Sequence, residues 1–185
     1  MEFYQDITVL PNEAVGQNAL VSKIYLKLHM ALKDITALNV GVSFPKYNLT
    51  LGDTIRLHGN ENDLTKLQNS KWLNGLAGFC KVTKIEKTPD IGVKHRTVFR
   101  WQSNMGKSKL RRLIKRKRIS ESDTKNYQKK MMHAQLTNLP YLVVQSVSNG
   151  QWYRRYIKMG ELTDEPILGK FDTFGLSKQA TIPWF

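Results

Sequence analysis

The opening FYQDITVL (3–10) is rich in β-branched and aromatic residues and stops at Pro11, which predicts a strand. Beyond it, Val21, Ile24, Leu28 and Ala31 recur at i, i+3, i+7 and i+10, predicting a helix capped by Asn12 and running to about Asp34. NVGVSFP (39–45) and TIRLHG (54–59) read as two further strands, the first stopped by Pro45. Asn62 or Asp63 can then open a short helix holding Leu64 and Leu67, and FCKVTKIEK (79–87) closes the run as an alternating strand. The order βαββαβ matches the ferredoxin-like pattern, in which two helices cover one face of an antiparallel sheet.

KTPDIGVKH (87–95) is turn-rich and suggests a domain boundary, dividing the chain into 1–94 and 95–185. TVFRWQS is extended in character. A helix over about 106–118 follows, with Leu110, Leu113 and Ile114 at helical spacing to pin one stripe on a core. Ser120 or Ser122 can cap a second helix over about 122–137. LPYLVVQSVS and QWYRRYIKM flank Asn149-Gly150, a hairpin signal spanning about 140–159. The tail is turn-rich with one candidate strand, about Lys170 to Phe174. The expected fold class is α+β: a ferredoxin-like first half, then a half carrying an Arg/Lys-rich helix and a β-hairpin.

Charge sharpens that division. Of 29 basic and 15 acidic residues, 11 and 9 lie in 1–94, leaving 18 and 6 for 95–185. Eight of the twelve residues from Lys107 to Arg118 are Lys or Arg. So many like charges within about three turns repel one another unless a polyanion neutralises them, and nucleic acid is the natural partner. A solvated surface or a localisation tract is the plainer alternative. The single cysteine, Cys80, excludes an internal disulfide and a cysteine-based zinc site. No leader pattern is visible, and no apolar run approaches the roughly 18 residues of a membrane span. A soluble cytoplasmic protein is expected, with no membrane partner.

Chemistry is sparse. His29, His58, His95 and His133 form no HxxxH pair, the carboxylates are scattered, and there is no Walker loop, GxGxxG or GxSxG. No metal or cofactor is expected. Metal-free cleavage is feasible for RNA because the ribose 2′-hydroxyl is an internal nucleophile needing a base, an in-line geometry and cations. His29 falls at the edge of the buried helical stripe, where it is either an ordinary edge residue or such a base. Ser146 and Ser148 share one strand face and could hold a ribose or bond a turn backbone. Arg100 and Gln102, at i and i+2, are the side-chain types that read guanine and adenine edges, or else contact phosphate or solvent. Trp152 and Tyr153 beside Arg154 and Arg155 suit base stacking, or core packing.

These residues together resemble a known family. FYQDI, the KLHMAL around His29, GVSFP (41–45), FRWQS with the following KLRRLIKRK, QSVSNGQWYR and the ending FGLSKQATIPWF resemble, in order and spacing, the Csy-type endoribonuclease of type I-F CRISPR systems. The resemblance implies a metal-independent enzyme that binds the stem-loop of precursor CRISPR RNA repeats and cuts at the 3′ foot of the stem. Its products are a 2′,3′-cyclic phosphate and a 5′-hydroxyl. It further implies that His29 takes the 2′-hydroxyl proton, Ser146 holds the ribose, Arg100 and Gln102 read bases at the stem's foot, and Tyr153 stacks on the terminal base pair. Lys107, Lys109, Arg111, Arg112, Lys115, Arg116 and Lys117 are the implied groove and phosphate contacts. The implied partners are the repeat hairpin RNA and the other subunits of a type I-F surveillance complex, outside which the chain is expected to be a monomer.

Two positions depart from the family. Phe174 stands where its best-known form has a tyrosine, and Leu113 where it can have arginine, which shifts groove contact to Arg112, Lys115, Arg116 and Lys117. The alternatives are a non-cleaving hairpin-binding subunit of a ribonucleoprotein complex and a general RNA-binding protein. The second would show similar affinity for unrelated hairpins.

Overall fold

Alternation in the opening segment is realised as β1 (Phe3–Val9), whose Gln5, Ile7 and Val9 turn inward. The computed structural model describes residues 1–35, 39–102, 106–135, 138–145 and 150–185. α1 (Gln17–Asp34) lays Leu20, Ile24, Leu28 and Leu32 against the sheet. It begins behind Gly16 and not at Asn12. The Asn12 carboxamide is used instead in the preceding turn, accepting from the N–H groups of Ala14 (3.0 Å) and Val15 (2.9 Å).

β2 (Gly41–Ser43) and β3 (Thr54–Gly59) lead into α2 (Glu61–Asn69), which buries Leu64 and Leu67. The cap is Asn60 and not Asn62 or Asp63: its side-chain oxygen accepts from the Asp63 N–H at 2.7 Å, which makes Asp63 a member of the first turn. The strand expected over 79–87 is split into β4 (Cys80–Val82) and β5 (Glu86–Lys87). Between them Thr83 intrudes on the ladder. Its hydroxyl accepts from the Asp6 N–H at 3.0 Å while its carbonyl accepts from the Gln5 amide at 2.8 Å. The first sheet has the order β2-β3-β1-β4, with β5 also on β1, and all these pairings are antiparallel.

The second sheet is formed by β6 (Lys94–Trp101), β7 (Tyr141–Gln145), β8 (Trp152–Met159) and β9 (Ser177–Trp184), in the antiparallel order β7-β8-β6-β9. Between β6 and β7 lie α3 (Lys107–Lys115) and α4 (Glu121–Gln135), and Ser120 caps the latter by accepting from the Asp123 N–H. Residues 146–149, including Ser148 and Asn149 of the expected hairpin turn, lie outside the described residues.

No strand forms at 170–174. Asp172 folds that segment into a turn, its Oδ1 accepting from the N–H groups of Phe174 (2.8 Å) and Leu176 (2.9 Å). Gly175 completes it at φ +68°, and a Cβ there would come within 2.3 Å of Val42, so only glycine satisfies both backbone and space. The final strand is β9. Pro183 is accommodated because β9 is an edge strand.

One apolar core runs through both sheets, joining Ile7, Ile24 and Leu57 to Val98, Leu142, Ile157 and Ile182. The change in charge at residue 95 is therefore not a break in packing. Ser22 of α1 ties the halves further, donating to the Asn18 carbonyl (2.8 Å) and accepting from the Val143 N–H (3.1 Å) of β7. The chain end is held as well. Arg56 grips Asp6 with two bonds of 2.7 and 2.9 Å, donates to the Phe185 carbonyl, and lies over the rings of Tyr4 and Phe185.

α3 departs from expectation in two ways. Of its apolar stripe only Leu110 is buried; Leu113 is half-buried and Ile114 is 50% exposed. It also ends at Lys115 and not near 118, because Lys117 takes a left-handed conformation (φ +50°). The Lys117 and Arg118 N–H groups fold back onto the carbonyls of Ile114 (2.9 Å) and Leu113 (3.0 Å), a Schellman closure.

Candidate active site

His29 sits in the last part of α1, one step past buried Leu28, and is half-buried as its position beside the apolar stripe predicts. Its Nδ1 lies 2.9 Å from the Thr173 carbonyl oxygen. A carbonyl only accepts, so Nδ1 carries a proton, and in the neutral imidazole the lone pair is on Nε2. The imidazole stacks flat on Phe174, with ring centroids 3.5 Å apart and planes within 10°. Phe174 is fixed by the Asp172 turn and by Tyr25, whose hydroxyl donates to the Phe174 carbonyl at 2.6 Å. Burial holds the Tyr25 phenol well above its usual pKa, which keeps it a neutral donor.

The other face of Phe174 is occupied. Arg155 of β8 places its guanidinium carbon 3.7 Å from the ring centroid, and with the imidazole 3.5 Å away the two groups must lie on opposite faces. Arg155 is only 7% exposed, its Nε is sealed from solvent without a partner, and among the described residues no carboxylate pairs with it. Reading the hairpin as a cationic surface misses this residue's place. The signal was available: Arg155 is two residues from buried Ile157, and strand alternation turns both inward.

Arg100 is half-buried in β6 opposite Ile157, and its Nε is likewise sealed and unpartnered. Burial, then the charge of Arg155, lower its pKa from the usual arginine value. Gln102 lies just past the end of β6 and is exposed. Tyr153 (36% exposed) and Trp152 (66%) stand near the hairpin end of β8, and Arg154 lies over the Tyr141 ring at 4.5 Å. Ser146 follows β7 directly but lies outside the described residues.

Lys107 opens α3, and Lys109, Arg111, Arg112, Lys115, Arg116 and Lys117 are all exposed. No described carboxylate pairs with any of these six. The structure thus assembles His29, Phe174 and Arg155 from three distant stretches, with Arg100 in the same sheet as Arg155, and presents the basic helix as a surface that no described carboxylate neutralises. Of the other histidines, His58 is buried against Ser43, and His95 bonds the Asp164 carbonyl. Among the described residues, no three His, Cys, Asp or Glu side chains gather as metal ligands, and no helix is long and apolar enough to cross a membrane.

The chain has relatives. Residues 4–185 match the family model described as CRISPR-associated protein (Cas_Csy4). It is 35% identical, over the full length of both chains, to the CRISPR-associated endonuclease Cas6/Csy4 of Escherichia coli (strain UTI89 / UPEC). It is 32% identical, again over the full length of both, to the protein of the same name from Pseudomonas aeruginosa (strain UCBPP-PA14). A solved CRISPR RNA processing endoribonuclease, Cas6b, aligns over 99% of this chain at 10% identity with a TM-score of 0.33, too distant a likeness to carry over any part of the site. With a family match over nearly its whole length and two full-length relatives above 30% identity, this chain belongs to the Csy4 family of CRISPR-associated proteins.

Proposed function

We propose that this protein is a CRISPR repeat-processing endoribonuclease that binds a hairpin RNA and cuts it without a metal ion. The observation that carries the reading is His29: a half-buried imidazole whose Nδ1–H is committed to a carbonyl, leaving Nε2 as the base. His29 Nε2 takes the proton of a ribose 2′-hydroxyl, O2′ bonds to the adjacent phosphorus, and the bond to the 5′-oxygen breaks. That oxygen takes a proton from water as it leaves as a 5′-hydroxyl, the imidazolium returns its proton to solvent, and a 2′,3′-cyclic phosphate remains. Ser146 holds the ribose, and the half-buried Arg100 is a cation suited to base edges and to the developing phosphate charge.

Division of labour follows the charge. Residues 1–94 form a ferredoxin-like unit, a reading supported by the strand order β2-β3-β1-β4 with α1 and α2 between its strands. Residues 95–185 bind RNA: the exposed cations of α3 enter the groove of the stem, Arg100 and Gln102 read its foot, and exposed Tyr153 stacks on the terminal pair. The protein acts in the cytoplasm as a monomer until it joins a type I-F surveillance complex, where it stays on the processed guide. The test is cleavage of a cognate repeat hairpin in EDTA. We expect the all-ribose hairpin to be cut and one with a 2′-deoxy sugar just upstream of the scissile phosphate to survive. Cutting of the deoxy substrate, or a requirement for divalent ions, would overturn the mechanism.

A further inference from the structure

Arg155 is in a costly place. A guanidinium withdrawn from water loses its hydration, and removal to a strand interior is normally repaid by a carboxylate and a full set of hydrogen bonds. Here the Nε has no partner, no described carboxylate pairs with the side chain, and a second half-buried arginine, Arg100, lies near enough to raise the electrostatic cost. What Arg155 does have is the face of Phe174, 3.7 Å from its guanidinium carbon. A planar guanidinium lies flat on an aromatic ring and is attracted to its π face, a contact that neither leucine nor lysine reproduces.

Phe174 is otherwise a half-buried side chain on an exposed turn. Its backbone is secured by Asp172 and Tyr25, but those bonds do not fix the ring. The Tyr25 ring meets it at a tilt, with centroids 5.9 Å apart, and its two faces are covered by Arg155 and His29. Among the described residues the His29 imidazole in turn has one hydrogen bond, to Thr173, and that bond leaves the tilt of the ring to the stack.

We propose that Arg155 is a positioning residue for the His29 base, acting through Phe174: the buried guanidinium forms the back wall that holds the phenyl ring, and the ring holds the imidazole with Nε2 aimed outward. Phe174 then needs no hydroxyl, because its contribution is made by its two faces. The inference rests on His29 being the base.

The test compares the full-length protein with Arg155→Met, Arg155→Lys and Phe174→Leu, and with Arg155→Met placed in the Phe174→Leu background. Single-turnover cleavage, hairpin affinity and the NMR shifts of the His29 ring protons are measured for each. Arg155→Met should slow cleavage roughly tenfold or more, the scale of a base displaced by a fraction of an ångström, while affinity stays within about threefold. The upfield ring-current displacement of the His29 signals should shrink. Arg155→Lys should recover only part of the rate, and in the Phe174→Leu background Arg155→Met should cost nothing further, since the intermediary is already gone. Should Arg155→Met not fold, a wild-type rate in Arg155→Lys would itself overturn the proposal. It is also overturned if Arg155→Met cuts at the wild-type rate with unchanged His29 shifts, if affinity falls in step with rate (a direct RNA contact), or if the two single effects multiply. A separate failure, normal cutting by His29→Ala, would remove the base assignment while the ring shifts still report whether Arg155 orders the imidazole.

Discussion

His58 and His29 show how environment divides one side-chain type between two tasks. His58 lies fully buried in β3, with Nε2 2.8 Å from the Ser43 hydroxyl and Nδ1 sealed without a partner. Burial, with smaller contributions from Arg56 and the chain's amino terminus, pushes its pKa well below the usual histidine value. The unfolded chain, with a histidine pKa near 6.5, therefore binds a proton that the folded chain refuses. Its stabilising effect is complete above about pH 6.5 and is lost as the pH falls below that value, at up to about 1.4 kcal/mol per pH unit. Urea unfolding at pH 7.5 and 5.5 should show that loss, and His58→Gln should reduce the difference between the two. An equal pH difference in the variant would show that other groups are responsible. His29 is half-buried, with Nδ1 bonded to the Thr173 carbonyl and its ring stacked on Phe174. Periodicity placed it correctly, but its stack on Phe174 joins residues 145 positions apart and could not be read from either segment alone.

At the scale of elements, α3 carries exposed cations that no described carboxylate pairs. Lys117 sits in the left-handed conformation that glycine would take more cheaply, at a cost of roughly 1 kcal/mol, so the helix terminates without giving up a cation. Replacing Arg112 and Arg116 with alanine should weaken hairpin binding and flatten its salt dependence, each lost phosphate contact removing about 0.7–0.9 from the log-log slope. Titrations across a salt series check this, and an unchanged slope would place those side chains away from the RNA backbone. The elements with strong periodicity or alternation, β1, α1, β3 and α2, were legible in the sequence because burial dictates their pattern. β9 was not. SKQATIPW begins with polar residues and contains a proline, which is tolerated only because the strand lies at a sheet edge, a fact of topology and not of composition. Ile114 misled in the opposite direction, since helical spacing marks a stripe without saying how much of it finds a surface to cover.

Across the whole molecule, charge and packing are divided differently. The cations gather in the second half, yet one core spans both sheets, Ser22 bonds β7, and the 172–175 turn returns to α1 and β2. The candidate active site depends on that closure, because His29 comes from α1 while Phe174 and Arg155, stacked behind it, come from beyond residue 150. The basic run thus pointed to a partner but not to the chemistry, and Arg155, a charge that reads as surface, turned out to lie inside. The measurement that bears most directly on the account is single-turnover cleavage of the cognate hairpin by His29→Ala, with affinity measured on the same preparation. We predict a loss of at least about a hundredfold in cleavage, the contribution of a positioned general base, with affinity within about threefold of wild type. Cleavage that persists, or affinity that falls together with it, would contradict the assignment of His29 as the base.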